Sequence, residues 1–167
     1  TLNIALAGTG VGKSLFMCHV AASCISQGLN VLYITMEMAE EKIAERIDAN
    51  LLNVSLSELH TLSKTDYDRK FEHLRAKTHG KLIIKEYPTA SASVLHFRAL
   101  LNDLALKKSF KPDIIFIDYL NICSSARIKP GGNVNSYTYI KSIAEELRGL
   151  AVEFDVPIVS ATQTTCL

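Results

Sequence analysis

The sequence lacks the features that mark membrane-spanning, exported and disulfide-linked proteins. No apolar run approaches the ~20 residues that a membrane-spanning helix requires. No basic N-terminal region is followed by an apolar stretch with a cleavage site. The four cysteines are widely spread and show neither a metal-binding nor a disulfide spacing. These absences predict a cytoplasmic protein with reduced thiols and without a membrane partner.

An excess of charge of either sign is also lacking, since 18 Lys and Arg residues nearly balance 17 Asp and Glu residues. This balance argues against a protein that binds nucleic acid over a broad basic face. It remains compatible with a ring-shaped enzyme that contacts DNA through one or two short loops per subunit. At 167 residues, 48% of them apolar, the chain is large enough to bury the core of one domain.

The most specific motif present is the segment 7–14, Ala-Gly-Thr-Gly-Val-Gly-Lys-Ser, which lies between a short apolar stretch and an apolar helical pattern. A Walker A phosphate-binding loop requires this context. Glycines let backbone N–H groups surround phosphate oxygens, Lys13 supplies a cation, and Ser14 offers a hydroxyl to Mg²⁺. The consensus begins with Gly, where this chain has Ala7. The predicted nucleotide-binding residues are Gly8, Thr9, Gly10, Val11, Gly12, Lys13 and Ser14.

Apolar stretches bounded by turn residues alternate with helical patterns along the whole chain. This order predicts an α/β fold with a mostly parallel central sheet flanked by helices on both faces. The predicted strands are 2–6, 31–35, 82–85, 113–117 and 157–161. The predicted helices are 13–27, 39–52, one that begins after Ser63 or Thr65 and ends before Gly80, 93–108 and 136–154. Residues 124–135 give the one long loop signal, and His19 is expected to pack in the core.

Three residues follow predicted strands at the sheet edge where ligands of open parallel sheets bind: the acidic Asp118 and Glu37, and the amide Gln163. Asp118 follows the apolar stretch 114–117 and is predicted to hold Mg²⁺ through water. Gln163 follows the last predicted strand, where an amide can hydrogen-bond the γ-phosphate and transmit its loss.

Glu37 follows the predicted strand 31–35 and is a candidate catalytic base. A carboxylate at this strand end can orient and deprotonate the water that attacks the γ-phosphate. The alternative is that Glu37, like Glu40 and Glu41, only provides negative charge at the start of the next helix.

Together these motifs resemble the RecA-like ATPase domain of DnaB-type hexameric replicative helicases, above all those of tailed bacteriophages. The resemblance rests on segment 7–14, on Val-Leu-Tyr-Ile-Thr-Met-Glu-Met at 31–38, on Arg-Ile-Asp-Ala-Asn from 46, on Ile-Ile-Phe-Ile-Asp-Tyr-Leu from 114, and on Ile-Ala-Glu-Glu-Leu-Arg-Gly-Leu-Ala from 143. It implies a RecA-like P-loop NTPase that uses ATP and Mg²⁺. In it Lys13 and Ser14 bind nucleotide and Mg²⁺, Asp118 is the Walker B residue, Glu37 the catalytic glutamate, and Gln163 the coupling glutamine.

The resemblance also implies partners and further parts. The expected function is that of an ATP-hydrolysing motor that moves as a homohexamer along single-stranded DNA, with a primase and a helicase loader as partners. Arg127 and Lys129 lie in the loop that corresponds to the first DNA-binding loop of the RecA class, although a solvated loop is an equal alternative. The chain is expected to be a single RecA-like domain truncated at both ends. The family's N-terminal collar, its later DNA loop and its arginine finger would lie outside it.

Three other functions remain open from the residues alone. A RecA- or RadA-type recombinase shares the fold and most of the motifs, although the Thr-Met-Glu-Met stretch at 35–38 favours the helicase. A small-molecule P-loop kinase would show a lid with clustered arginines, whereas the arginines here are dispersed. The third alternative is an assembly module that binds ATP without turnover.

Overall fold

Helices and strands alternate along the chain in the structure, a computed structural model that describes residues 1–77, 79–129 and 135–163. The strands are β1 (Leu2–Ala7), β2 (Val31–Thr35), β3 (Leu82–Glu86), β4 (Ile114–Asp118) and β5 (Ile158–Gln163). The helices are α1 (Lys13–Ser26), α2 (Glu40–Leu52), α3 (Leu56–Thr61), α4 (Lys64–Lys77), α5 (Val94–Lys108) and α6 (Ser136–Glu153), with a 3₁₀ turn at Leu120–Ile122. Within these residues, no helix is both long and apolar enough to cross a membrane.

The strands form one parallel sheet in the order β1-β5-β4-β2-β3. Parallel pairing brings the carboxyl ends of all strands to the same edge. The register places Ala7 beside Gln163 and Thr35 beside Asp118. The residues that follow β1, β2, β4 and β5 therefore share one edge of the sheet.

Apolar side chains of the central strands alternate between two cores, because successive residues of a strand point to opposite faces. On one face Tyr33 and Phe116 pack with buried residues of α1 and α2, and their rings stack with centroids 5.7 Å apart. On the other face Leu32, Ile115 and Ile117 pack with buried residues of α5 and α6. The predicted architecture, a parallel sheet covered by helices on both faces, is confirmed.

Some local predictions differ from the structure. The short helix α3 was not predicted, although Ser55 and Glu58 form a capping box at its start that is visible in the sequence. The prediction that His19 packs in the core was wrong: it is exposed on α1, with its Nδ1 2.9 Å from Asn50 Oδ1. The predicted loop residues Pro130, Gly131 and Gly132 lie outside the described residues.

Two glycines provide a matched test of the packing. A Cβ on Gly80 would lie 2.6 Å from the Ile25 carbonyl oxygen and 2.7 Å from that of Leu29, whereas one on Gly149, in α6, would meet nothing within 4 Å. Gly80→Ala is expected to lower the free energy of unfolding by about 1–3 kcal/mol, because the backbone must shift. Gly149→Ala is expected to raise it by about 0.5–1 kcal/mol, because alanine favours the helix. Chemical denaturation of the 167-residue chain measures both, and equal effects would contradict this packing.

Candidate nucleotide-binding site

The phosphate-binding loop connects β1 to the start of α1. Gly10 has a φ of 73° and Gly12 a φ of 101°, left-handed values that disfavour any side chain. Gly12 caps α1, whose first turn contains no acidic residue. The N-terminal backbone N–H groups and the positive end of the helix dipole are therefore suited to an anion.

Lys13 folds back over this loop. Its Nζ donates to the Gly8 carbonyl at 2.8 Å and to the Ala7 carbonyl at 3.4 Å, and lies 5.9 Å from the centroid of the Tyr119 ring. The ammonium is thus held at the mouth of the loop, where phosphate oxygens would exchange with the carbonyl oxygens as its partners.

A cavity of about 330 Å³ lies against the loop. Lys13, Ser14, Glu37 and Gln163 line it, together with Arg46 and Tyr119. Thr9, Gly10 and Gly12 also line it, so seven predicted site residues from three parts of the sequence meet at one place. Their roles remain predictions. Arg46 and Tyr119 were not predicted as site residues, although both belong to segments that carry the family resemblance.

Glu37 is exposed in the turn after β2, outside α2. Thr35 fixes this turn, because its Oγ1 donates to the Met38 carbonyl at 2.8 Å and accepts from the Met38 N–H at 3.2 Å. Glu40, by contrast, accepts the Glu86 N–H at 2.8 Å and so connects α2 to β3. Glu37 and Glu40 therefore have different surroundings, which favours the catalytic interpretation of Glu37 over that of a helix-terminal charge.

Asp118 ends β4 directly before Tyr119 of the cavity lining, and it is only 1% exposed. Its Oδ2 accepts the Tyr33 hydroxyl at 3.0 Å, while its buried Oδ1 has no hydrogen-bond partner among the described residues. A buried carboxylate oxygen without a donor is costly, and a metal ion or its water ligand would satisfy it. The buried oxygen of Asp118 therefore fits the predicted Mg²⁺ role, and Ser14, the other predicted ligand, lines the cavity.

Tyr33, which was not predicted, holds the Asp118 side chain. Burial, and after it the nearby Asp118 carboxylate, raises the pKa of the Tyr33 phenol, so that its proton remains available for donation. The Cys18 thiol of α1 lies 3.8 Å from the same hydroxyl. No local sequence signal identifies this pair, since Tyr33 and Asp118 are brought together only by the pairing of β2 with β4.

Gln163 and Asn121 connect the last strand with its surroundings. The Gln163 side-chain amide donates to the Thr9 hydroxyl of the phosphate-binding loop. Asn121, in the 3₁₀ turn after β4, accepts the Thr162 hydroxyl at 2.7 Å and the Gln163 N–H at 3.4 Å. Asn121 was not predicted. It ties the strand end that carries Gln163 to the segment that follows Asp118.

The two predicted DNA contacts lie apart from the cavity lining. Arg127 and Lys129 are exposed in the segment after the 3₁₀ turn. Among the described residues, Arg127 pairs with Glu145 of α6, which lies at 3.8 Å and is also exposed. Such a surface pair is weak and leaves the guanidinium available to another anion.

Comparison with known families identifies the relatives of this chain. The family model of the DnaB-like helicase C-terminal domain matches residues 1–165. The chain belongs to this family. It is 53% identical over 166 residues to the DnaB-like replicative helicase of Enterobacteria phage T4, and 30% identical over 164 residues to the replicative DNA helicase DnaB of Synechocystis. These matches cover 98% and 96% of the chain but only 35% and 18% of the relatives, so the chain spans about a third of the phage protein and less of the cyanobacterial one.

Solved structures show the same fold. One, described as a DnaB-like replicative helicase and its interactions with primase, matches 98% of the chain and 39% of its own with a TM-score of 0.72 and 20% identity. A solved ATPase domain matches 98% of the chain and 57% of its own with a TM-score of 0.74 and 18% identity. The family and the RecA-like fold predicted from the sequence are thus confirmed.

Tyr33→Phe tests whether the hydrogen bond from the Tyr33 hydroxyl stabilises the Asp118 side chain. The variant removes the only described donor to Asp118 Oδ2 and is expected to lower the free energy of unfolding by about 1–3 kcal/mol, because a buried charged acceptor loses its partner. Tyr137→Phe, at an exposed position of α6, is the control and should change little. Chemical denaturation measures both, and equal stability of the two variants would show that the Tyr33 hydroxyl does not support Asp118.

Proposed function

We propose that the chain is the ATP-hydrolysing motor domain of a replicative DNA helicase. The observation that carries this proposal is the convergence of Lys13, Ser14, Glu37 and Gln163 on one cavity, in a chain of the DnaB-like family. The unpartnered buried oxygen of Asp118, directly before Tyr119 of the cavity lining, supports it. The family match favours a helicase over the recombinase and the small-molecule kinase that the residues alone left open.

Nucleotide binding would depend on the loop and on two side chains. The phosphates would accept backbone N–H groups at the start of α1, and Lys13 would transfer its hydrogen bonds from Gly8 and Ala7 to phosphate oxygens. Ser14 and Asp118 would hold Mg²⁺. Bound there, Mg²⁺ would neutralise the charge that accumulates on the phosphate oxygens during transfer.

Hydrolysis would require Glu37 as a base. Water attacks the γ-phosphorus, the bond to the β,γ-bridging oxygen breaks, and ADP leaves while the proton of the water passes to the Glu37 carboxylate. Gln163, hydrogen-bonded to Thr9 of the phosphate-binding loop, would detect the departure of the γ-phosphate. Through Asn121, that change would reach the segment that carries Arg127.

The finer parts of this function would be those of a whole protein of the relatives' length. We propose that it assembles as a homohexamer, moves on single-stranded DNA in the cytoplasm, and contacts a primase and a helicase loader. Support comes from the names of the relatives and from the solved DnaB-like helicase described with its primase interactions. Arg127 and Lys129 are the proposed DNA contacts, because both cations are exposed on one segment outside the nucleotide cavity.

Lys13→Ala tests nucleotide binding. The variant is expected to weaken ATP binding by about 100-fold or more, because the phosphates lose a charge-assisted hydrogen bond while little packing changes. Lys70→Ala, on the exposed side of α4, is the control. Titration calorimetry with ATP and Mg²⁺ measures both, and unchanged affinity of the Lys13 variant would refute the proposed site.

Glu37→Gln tests the base separately from binding. An amide can still hold the attacking water but cannot accept its proton, so turnover is expected to fall by about 10²–10⁴-fold while ATP affinity is retained. Glu41→Gln, in the first turn of α2, is the matched control and should retain turnover. ATPase assays of the full-length protein with single-stranded DNA measure both. If the Glu37 variant turns ATP over within twofold of the wild type, Glu37 is not the base and only provides negative charge at the start of α2.

A further inference from the structure

Residues 124–129, here called the cationic segment, are ordered by hydrogen bonds although the sequence predicts only a loop. Each backbone N–H from 124 to 128 donates to a partner in the structure. The N–H of Ser124 donates to the Ala92 carbonyl at 2.8 Å, and that of Ser125 to the Tyr139 hydroxyl at 3.1 Å. The N–H groups of Arg127 and Ile128 both donate to Ser125 Oγ, each at 3.1 Å. The segment that carries Arg127 is therefore a defined turn.

Glu146 of α6 is the centre of this arrangement. It is only 5% exposed, and its Oε1 accepts the hydroxyls of Ser125 at 2.6 Å and Ser142 at 3.1 Å. Its Oε2 accepts the Ala126 N–H at 2.8 Å. Burial alone would raise the pKa of Glu146, but these hydrogen bonds outweigh burial and lower it. A charged carboxylate thus accepts three donors, two of them from the cationic segment.

The hydroxyl of Ser125 connects Glu146 with the backbone of Arg127. This hydroxyl gives its one proton to Glu146 and accepts the backbone N–H of Arg127 with its lone pairs. The Arg127 backbone is therefore fixed while its side chain stays 65% exposed. An ordered backbone reduces the conformational entropy that is lost when a cation on a loop binds an anionic strand.

We propose that Glu146 is a positioning residue for nucleic-acid binding: it fixes the cationic segment so that Arg127 presents its guanidinium to a phosphate of single-stranded DNA. This inference rests on the proposed function, since it assumes that Arg127 contacts DNA. The neighbouring Glu145 has the opposite effect, because its exposed carboxylate pairs with Arg127 and competes with the phosphate.

The test compares four variants of the full-length protein: Glu146→Gln, Arg127→Ala, the double variant, and Glu145→Gln as the matched control on the adjacent residue of α6. Fluorescence anisotropy with a single-stranded oligonucleotide, in a non-hydrolysable ATP analogue, measures affinity over a salt series. Arg127→Ala is expected to weaken binding about 10-fold and to reduce the slope of log affinity against log salt by about 0.7 for each phosphate that the protein no longer neutralises.

Glu146→Gln is expected to weaken binding about 3- to 10-fold, because the isosteric amide cannot accept all three donors. In the double variant the loss should stay within about twofold of that in Arg127→Ala, since two residues that act through one interaction are not additive. Glu145→Gln should bind as tightly as the wild type or slightly tighter. A general structural role of Glu146 would not produce this dependence on Arg127.

The contrary outcomes are distinct. Normal affinity in both Arg127→Ala and Glu146→Gln would refute the DNA contact in the proposed function, and the positioning role with it. Weakened binding in Arg127→Ala with normal binding in Glu146→Gln would overturn the positioning role alone, as would additive losses in the double variant. If Glu146→Gln fails to fold, Ser125→Ala replaces it, because this variant removes the hydroxyl that joins Glu146 to Arg127 and leaves the buried carboxylate two donors.

Discussion

Parallel pairing of β4 with β2 is the constraint on which the site depends. Its register places Thr35 beside Asp118. One residue earlier on each strand, Ile34 and Ile117 fill one core, and two residues earlier Tyr33 and Phe116 fill the other. A shift by one residue would turn Tyr33 away from the Asp118 carboxylate and exchange the side chains between the two cores. The register that packs the sheet is therefore also the register that brings Tyr33 to Asp118.

Most of the fold and part of the site could be predicted from the sequence, because their signals are local. Apolar stretches bounded by turn residues predicted all five strands, and the glycines predicted the loop that connects β1 to α1, whose phosphate-binding role stays a prediction. Asp118 and Gln163 were predicted since each follows or ends a strand at a known edge of the sheet. The helix α3 was missed despite its capping box, and His19 was misplaced because an apolar helix surface need not be buried throughout.

The residues that were not predicted act over long separations in the chain. Tyr33 meets Asp118 across 85 positions, and Asn121 meets Thr162 across 41. Periodicity and spacing indicate which residues share an element, but not which hydroxyl of one element faces which carboxylate of another. Such pairs depend on strand order, which the pattern of strands and helices does not determine. These long-range pairs hold in place the residues that the motifs identify.

The hydrogen bonds of Lys13 to the carbonyls of its own loop affect how a phosphate would be received. A lysine side chain free in solvent loses about 1.5–2 kcal/mol of rotamer entropy when it is immobilised. Here Nζ already lies 2.8 Å from the Gly8 carbonyl, so much of that ordering takes place during folding. Phosphate binding would exchange acceptors around an ammonium that is nearly in place, and the site is in this sense preorganised for its ligand.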